Sequence, residues 1–304
     1  MARVVEEIIK KDTLNFKDYP TRQIEEFDLQ FLRTWLGSGD ALTSSSSSLT
    51  DHILRTHHAL RGETDVHVYS CMSSLSYLCP RARLHPQYAA VVQAAVAVGS
   101  AYQILDVGSC MGQETRALIV DGVHPASITT SDVHDAYWRA GRTIFMDDGS
   151  RRDPLYSIAG VKEVWGDWTT PLTHKFVAEL KGTFDAVLCK NVHHALSEQQ
   201  SEFFHARLVR VLKDGGGVLF GTAVGRVTAR LWARNPENTA NRYLHSAESL
   251  AESLRRAGFT DVTVTASESK PEYPDAVPDT SQKHASYVEL MKDRRYLTFF
   301  ARKA

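Results

Sequence analysis

From residue 99 onwards, the sequence alternates short apolar segments with longer amphipathic ones. Short apolar runs bounded by glycine, proline and polar turn residues are typical of buried strands, whereas the intervening segments repeat their apolar residues with a helical period. Strands that alternate with helices predict a doubly wound, mostly parallel α/β sheet. The seven predicted strands are residues 104–107, 127–131, 163–165, 184–189, 218–222, 261–265 and 296–301.

The last predicted strand follows the sixth in an unusual way. Residues 270–280 contain three prolines, which leave no room for a regular helix between these two strands. We therefore expect the final strand to enter the sheet antiparallel to its neighbours.

Residues 1–98 have a different pattern, dominated by helices and loops. Apolar residues within 27–36 recur at helical spacing and predict a buried face. The serine run 44–48 is expected to be a flexible loop, and Thr50 or Asp51 is expected to cap the helix that follows it. The sequence thus predicts a helical N-terminal lid over the substrate at 1–98 and an α/β core at 99–304.

Composition narrows the possible partners. The net charge of −1 shows no excess of basic residues for a nucleic acid or an anionic membrane. The four cysteines include no CxxC pair, which argues against a disulfide framework or a zinc site. The charged N-terminal segment and the lack of a long apolar run argue against secretion or membrane insertion. We predict a cytoplasmic monomer or homodimer that acts on a small molecule and uses no metal.

A glycine loop follows the first predicted strand, within residues 104–113. Gly108 permits a tight turn, and Gly112 lets the backbone approach a ligand closely. A phosphate-binding loop would not favour Asp106 so close to its first glycine, whereas S-adenosylmethionine (SAM) carries an ammonium and a sulfonium group but no phosphate. The loop therefore predicts SAM contacts at Asp106, Gly108, Ser109 and Gly112, with a strand–helix turn that binds nothing as the alternative.

Two further acids follow the second and third predicted strands, where open α/β sheets bind ligands. Asp132 could accept hydrogen bonds from both ribose hydroxyls, because a carboxylate has only acceptor positions. Asp167 could accept one from the adenine amino group while Trp168 packs on the base. We predict cofactor contacts at Asp132, Val133, Asp167 and Trp168. The alternatives are a helix cap at Asp132 and an exposed turn acid beside a core tryptophan.

The fourth predicted strand ends at residues 189–194, which would face the transferred methyl group. Lys190 is predicted to contact the cofactor. His194, or His193 beside it, could act as a general base on a hydroxyl, because an ordinary histidine has a pKa of about 6.5. The alternative is that these histidines only orient the loop or pack beneath the cofactor. The segment lacks an Asn-Pro-Pro-aromatic run, which argues against methylation of nucleic-acid bases.

Taken together, these motifs resemble those of class I SAM-dependent methyltransferases, which have a Rossmann-like seven-stranded sheet. From about Tyr69 onwards the chain is also similar to fungal methyltransferases of natural-product (meroterpenoid-type) pathways, except at Ser76 and at 190–193. This resemblance implies O-methylation in secondary metabolism, often of a carboxylate, with Tyr69 in the substrate cavity. The residues that carry it are 69–71, Leu78, 85–88, 106–113, 120–122, 167–168, His194 and 242–250.

The predicted function is SAM-dependent O-methylation of a carboxylate or hydroxyl of a small natural product, with S-adenosylhomocysteine (SAH) as the second product. A carboxylic acid, with a pKa of about 4, is already ionised at neutral pH, whereas a phenol, with a pKa of about 10, is not. Only the second acceptor would need a base. The alternatives are methylation of nitrogen, of protein or of RNA, and a protein of this fold that binds SAM without transferring its methyl group.

Overall fold

The computed structural model describes residues 26–37, 45–62, 75–147, 149, 156–169, 178–232, 242–268 and 293–304. Across these ranges, no helix is both long and apolar enough to cross a membrane. The helices are α1 (Glu26–Leu36), α2 (Ser46–Gly62), α3 (Tyr88–Val98), α4 (Gln113–Val120), α5 (Asp135–Ile144), α6 (Glu198–Val211) and α7 (Ala247–Arg256). The strands are β1 (Ile104–Val107), β2 (Ile128–Asp132), β3 (Lys162–Trp165), β4 (Ala186–Lys190), β5 (Val218–Arg226), β6 (Arg230–Trp232), β7 (Arg242–Leu244), β8 (Phe259–Ser267) and β9 (Arg294–Lys303).

Seven strands form one sheet, in the order β3-β2-β1-β4-β5-β9-β8. Strand β4 pairs in parallel with β1 and with β5, and β2 pairs in parallel with β3. Strand β9 is antiparallel to both β5 and β8. The order changes direction at β1, which is the switch point of a doubly wound sheet. The predicted seven-stranded sheet and its antiparallel final strand are therefore confirmed.

Strands β6 and β7 form a separate two-stranded sheet that the sequence did not predict. Each has three residues, too few to show an alternating apolar pattern. Two backbone hydrogen bonds fix the position of this region: Tyr243 N–H donates to the Leu196 carbonyl, in the segment after β4, at 2.8 Å, and Arg226 N–H, at the end of β5, donates to the His245 carbonyl at 2.9 Å. Strand β7 therefore lies beside the segment that follows β4.

Helix α2 begins earlier than the sequence predicted. The expected loop at 44–48 was wrong for residues 46–48, which are helical, and the expected cap at Thr50 or Asp51 lies inside the helix. Ser45 instead precedes the helix, and its hydroxyl accepts a hydrogen bond from Ser48 N–H at 3.5 Å. Serine is a favoured helix cap, and the burial of Leu49 and Ile53 stabilises the first turns.

The chain divides into two compact units that interleave along the sequence. The first takes its described residues from Met1–Arg83, Val92–Tyr102 and Ser109–Gly166. The second comprises those of Leu84–Val91, Gln103–Gly108 and Asp167–Ala304. The sequence predicted a lid over the substrate at 1–98 and a cofactor-binding core at 99–304. A division into compact units does not test these roles, so they stay a prediction.

Within the first unit, N-terminal segments pack directly on helices of the sheet region. The Trp35 indole N–H donates to the Phe145 carbonyl at 3.1 Å. The buried carboxylate of Glu114 accepts hydrogen bonds from the backbone N–H groups of Arg81 and Ala82, each at 3.0 Å. The described residues of 26–83 thus supply part of this unit's core, and their removal would expose it.

The second unit has a continuous apolar core built from β1, β4, β5 and β9 with α6 and α7. Both helices begin with a reciprocal cap, in which a serine hydroxyl and a side chain three residues later satisfy each other's backbone N–H groups. The pairs are Ser197 with Gln200 and Ser246 with Ser249. These caps fix where each helix starts and so help to place His205 on α6 and His245 just before α7.

Candidate functional site

The turn after β1 requires glycine at two positions. Gly108 has φ +72° and Gly112 has φ +73°, in the left-handed region where other residues are strained. A Cβ atom on Gly108 would overlap the Val192 side chain, and one on Gly112 would overlap the Trp138 ring. The backbone therefore packs closely in both places, as the sequence indicated.

Cys110 occupies the middle of this turn, where related loops have glycine. Its φ of +52° is also left-handed, which costs a non-glycine residue about 1–2 kcal/mol. The Cys110 N–H donates to Oδ2 of Asp132 at 2.8 Å. A hydrogen bond to a carboxylate is among the stronger ones in proteins, so it offsets this strain and fixes the turn against the end of β2.

The Asp132 carboxylate is held by backbone groups of the first unit. Besides Cys110, Val133 N–H donates to its Oδ1 at 2.7 Å. Burial raises the pKa of Asp132, while hydrogen bonds from Cys110, Val133 and His134 act in the opposite direction. A carboxylate has about four acceptor positions, so three backbone donors leave one for a ligand hydroxyl. Binding both ribose hydroxyls, as the sequence predicted, would require one backbone bond to give way.

Ser109 adds a buried polar group to the same unit. Its N–H donates to the Ser131 carbonyl at 3.0 Å. Its side chain is 2% exposed, and its hydroxyl has no hydrogen-bond partner among the residues that the structure describes. Buried hydroxyls rarely lack a hydrogen-bond partner, so a polar ligand at this turn would supply the one that the Ser109 hydroxyl lacks. The arrangement fits a cofactor rich in hydroxyl and amino groups, such as SAM.

In the second unit, Asp106 lies near the end of β1 and is 2% exposed. Burial, and next the charge of Asp106, raises the pKa of the Cys189 thiol, which therefore stays protonated. Lys190 ends the neighbouring strand β4. A buried carboxylate strongly favours a nearby cation. This property of Asp106 suits the predicted contact with the ammonium group of SAM.

Asp167 and Trp168 have different surroundings in the structure. Asp167 Oδ1 accepts hydrogen bonds from the N–H and the hydroxyl of Thr169, both at 2.7 Å. Trp168 is 3% exposed and belongs to the apolar core of the second unit. So small an exposed area gives an adenine ring little to pack on, which favours the alternative of a turn acid beside a core tryptophan. The predicted cofactor contacts of both residues remain untested.

The two adjacent histidines after β4 also have different surroundings. His193 is 1% exposed and its ring packs against Phe204, His205 and Phe299, with centroid distances of 5.6, 5.0 and 5.0 Å. Burial lowers its pKa well below the ordinary value. A side chain enclosed in this way favours the alternative that His193 packs in the core, and its catalytic role stays a prediction.

His194 is only partly buried, although its Nδ1 is enclosed and has no hydrogen-bond partner within the described part of the chain. Burial, followed by the positive charges of Arg242 and Arg294, lowers its pKa to about 4. The ordinary pKa near 6.5 that the sequence suggested was therefore wrong for this residue. At neutral pH its imidazole is uncharged and can form hydrogen bonds, but it is a weaker proton acceptor than an ordinary histidine.

His193 belongs to a cluster of buried histidines that sequence reasoning missed. His205 lies on α6 and His245 just before α7, and their ring centroids are 6.2 Å apart. Serine hydroxyls contact their Nδ1 atoms, Ser253 at 2.9 Å and Ser249 at 3.0 Å respectively. Burial is the main cause that lowers the pKa of His205 to about 3 and that of His245 to about 4. The sequence offered no signal, because only the fold brings positions 193, 205 and 245 together.

This cluster predicts an acid-sensitive second unit. The folded protein keeps His205 and His245 neutral, whereas the unfolded chain binds protons on them near pH 6.5. Stability is therefore full above pH 6.5 and falls as the pH drops towards 4. Between pH 7 and 5 we expect a loss of about 2 kcal/mol for each of these two histidines, measured by urea unfolding. His205→Phe should reduce this loss of unfolding free energy by about 2 kcal/mol, the contribution of one histidine. If the variant kept the full loss, the pH dependence would have to come from other groups, such as carboxylates.

The remaining predicted site residue, Tyr69, lies outside the described residues. The predicted contacts therefore fall into two groups, one in each unit. Ser109, Gly112, Asp132 and Val133 lie in the first, and Asp106, Gly108, Asp167, Trp168, Lys190 and both histidines lie in the second.

Comparison with known proteins gives one curated relative. No protein-family model matches the chain. O-methyltransferase phiE of a fungal species (strain ATCC 74256) is 25% identical over 186 residues, which cover 61% of this chain. The match spans 58% of the relative's own length, so the activity of the whole relative does not transfer directly.

Solved structures support the fold. The [4+2]-cyclase SpnF has a TM-score of 0.50 and 20% identity, over 84% of this chain and 94% of its own. The chain therefore shares the Rossmann-like fold of SpnF, with its own strands in one seven-stranded sheet. Another match is the geranyl diphosphate C-methyltransferase of Streptomyces coelicolor A3(2), with a TM-score of 0.48 and 12% identity over 92% of this chain and 98% of its own. The order of the seven strands and the antiparallel β9 are the features of this structure that agree with the predicted fold.

Proposed function

We propose that this protein is a SAM-dependent methyltransferase that methylates an oxygen of a small natural product, on a carboxylate or a hydroxyl. The observation that carries the proposal is the Asp132 carboxylate, which backbone N–H groups of the glycine turn and of Val133 hold in place. The unsatisfied hydroxyl of Ser109 beside this turn supports it. The name of the fungal relative, an O-methyltransferase, favours oxygen as the acceptor atom.

The roles of individual residues follow from their chemistry. Bound SAM would supply a methyl group activated by its positively charged sulfur. In the first unit, Asp132 would accept a hydrogen bond from a ribose hydroxyl, and the Ser109 hydroxyl would form a hydrogen bond with a polar atom of the cofactor. Correct alignment of an ionised oxygen with such a methyl group can lower the barrier by about 7–11 kcal/mol. The contacts suggested for Asp106, Gly108, Gly112, Val133, Asp167, Trp168 and Lys190 remain sequence-based expectations.

The proposal is tested in two steps. Isothermal titration with SAM and SAH measures cofactor binding by the full chain. Incubation with methyl-labelled SAM and a panel of carboxylic acids and phenols then measures transfer to oxygen. Failure to bind either SAM or SAH would contradict the proposal, whereas label on nitrogen, protein or RNA would retain the donor and change the acceptor. The net charge of −1 makes RNA the least favoured acceptor.

A second candidate is a protein that binds SAM without methyl transfer. The specific observation in its favour is that SpnF, a cyclase by name, has the same fold. Fold alone therefore does not decide the reaction. Tight SAM binding with no label transferred to any class of acceptor would favour this second function.

His194 gives a prediction about the acceptor. Of the two histidines we propose His194 as the one that touches substrate, because His193 is enclosed in the core. For a carboxylate acceptor, His194→Ala should lower kcat only a few-fold, since no proton has to be removed. For a hydroxyl acceptor, loss of a general base should cost about 10²–10⁴-fold. The buried His205→Ala is a poor control, so His124→Ala, at an exposed position in the loop before β2, serves instead.

Several expectations from the sequence carry over as proposals. They are a cytoplasmic location, a monomer or homodimer, a role in secondary metabolism, and a lid formed by residues 1–98. The packing of Trp35, Arg81 and Ala82 within the first unit changes one expected outcome: a protein lacking 1–98 should lose structure as well as turnover.

A further inference from the structure

Arg116 is a fully buried arginine on α4, the helix that follows the glycine turn. Its Nη1 donates to the carbonyls of Met111 at 2.7 Å and of Gly112 at 3.0 Å, which are the last two residues of the turn. Its Nε and Nη2 donate to the two carboxylate oxygens of Asp147, at 2.6 and 2.9 Å. One guanidinium group therefore connects the turn to the segment after α5.

The part of the turn at 109–112 is held from two sides. On the side of β2, the backbone N–H groups of Ser109 and Cys110 bond to residues at the end of that strand, at 3.0 and 2.8 Å. On the side of α4, the two carbonyls bond to Arg116. Cys110 has a left-handed backbone conformation that is strained for a residue other than glycine. A strained backbone keeps its shape only while its surroundings fix it, so loss of either set of bonds would let the turn relax.

The N-terminal helix α1 packs against the same guanidinium group. Trp35 lies in α1, and the centroid of its ring is 5.7 Å from the guanidinium carbon of Arg116. The Trp35 indole N–H donates to the carbonyl of Phe145 at 3.1 Å, and the centroid of the Phe145 ring is 4.4 Å from the same carbon. A displacement of α1 would therefore move the group that holds the turn.

Stability alone does not explain an arginine at this position. Removing two charges from water costs about as much as a buried ion pair gains, and apolar residues of similar size are often as good or better. The hydrogen bonds to the two turn carbonyls are what an apolar residue could not supply. A guanidinium has five N–H donors in a fixed plane, so one side chain can bond to a carboxylate and to two carbonyls together.

We propose that Arg116 is a positioning residue for the cofactor, which holds the glycine turn in the conformation that binds SAM and makes the affinity for SAM depend on the packing of α1. The inference rests on the proposed function, in which the turn and Asp132 bind SAM. Arg116 is fully enclosed and acts through the turn, without touching the cofactor. Helix α1 thereby gains a role in cofactor affinity in addition to its place in the predicted lid.

The test separates positioning from stability by measuring two properties of the full chain, SAH affinity by isothermal titration and unfolding by urea. The main variant combines Arg116→Met with Asp147→Leu, which removes both charges and leaves no buried carboxylate without its partner. We expect it to unfold near the urea concentration that unfolds the unmodified protein. It should nevertheless bind SAH about tenfold more weakly, because the turn carbonyls have lost their donor. An SAH affinity equal to that of the unmodified protein would overturn the positioning role.

Two single variants keep the test decisive if the double variant fails to fold. Arg116→Lys keeps the charge but loses the planar fork, and it should weaken SAH binding by about tenfold. Leu254→Ala is the matched control, since it removes a fully buried leucine from the core of the second unit. It should destabilise the protein and leave the affinity for SAH unchanged. Equal SAH affinities for these two variants would contradict the proposal.

The dependence on α1 is tested by a double-mutant cycle. Trp35→Phe should weaken SAH binding by about threefold, because it removes the bond to the Phe145 carbonyl and part of the ring that faces the guanidinium. In the Arg116→Lys background the same substitution should have little further effect, since α1 acts through Arg116. Additive effects would contradict the link to α1. SAH binding is measured first in the unmodified protein, where its absence contradicts the proposed function, whereas normal binding that the Arg116 variants retain contradicts the positioning role alone.

Discussion

Asp132→Ala is expected to lower the affinity for SAM by about 100-fold or more, measured by isothermal titration. The substitution removes the acceptor proposed for a ribose hydroxyl, and hydrogen bonds to charged groups are worth about 1.5–3 kcal/mol each. It also removes the partner of the Cys110 N–H, which holds the strained turn in place. Both effects act in the same direction, because a turn that loses its anchor no longer presents its backbone to a ligand.

The control for this substitution is Asp135→Ala at the start of α5. Its carboxylate is half-exposed and pairs with Arg139 one helical turn away, an arrangement that contributes little to stability. Asp135→Ala should bind SAM normally. If Asp132→Ala also bound SAM normally, with an unchanged circular dichroism spectrum, the cofactor would have to lie elsewhere.

Arg116→Met is expected to lower the free energy of unfolding by about 3–5 kcal/mol, measured by urea denaturation. Arg116 is fully buried in the first unit and pairs with Asp147 through two hydrogen bonds, at 2.6 and 2.9 Å. Its NH1 also donates to the carbonyls of Met111 and Gly112, at 2.7 and 3.0 Å. Removal of the arginine would leave the Asp147 carboxylate buried without its partner and the turn carbonyls without a donor.

Three aromatic rings make this site specific for arginine. The guanidinium carbon of Arg116 lies 4.4 Å from the centroid of Phe145, 4.9 Å from that of Trp138 and 5.7 Å from that of Trp35. Arg116→Lys should therefore recover only part of the stability, since an ammonium group cannot form the fork or stack on the rings in the same way. Arg139→Met, which removes an exposed arginine from α5, should cost less than about 1 kcal/mol. Similar losses for Arg116→Met and Arg139→Met would show that the buried pair adds nothing to stability.

The features that the sequence predicted correctly are those encoded by neighbouring residues. A strand followed by Gly108 and Gly112 can be recognised locally, because apolar periodicity and left-handed glycines leave a pattern within about ten residues. The three prolines in 270–280 predicted the antiparallel β9 for the same kind of reason. The starts of α6 and α7 are also local features, since each helix has its serine cap next to it in sequence.

Other features depend on residues far apart in the chain, and no local sequence pattern predicts them. Arg116 and Asp147 form a buried pair across thirty-one positions, although each looks like an ordinary helix or loop residue in the sequence. The burial of Trp168 is another such feature, because it belongs to an apolar core whose other members come from β1, β4 and α6. Its predicted contact with the adenine base stays a prediction.

The sequence by itself determined that this chain forms a doubly wound sheet with a glycine turn and an acid at the end of β2, because these depend on short-range periodicity and backbone conformation. Only the tertiary structure decided the protonation of its histidines. Burial and the charges of Arg242 and Arg294 make His194 far less basic than a histidine in water, and burial does the same for His205. The physical reason is that desolvation and electrostatic interactions depend on distance in space, whereas a sequence records only distance along the chain.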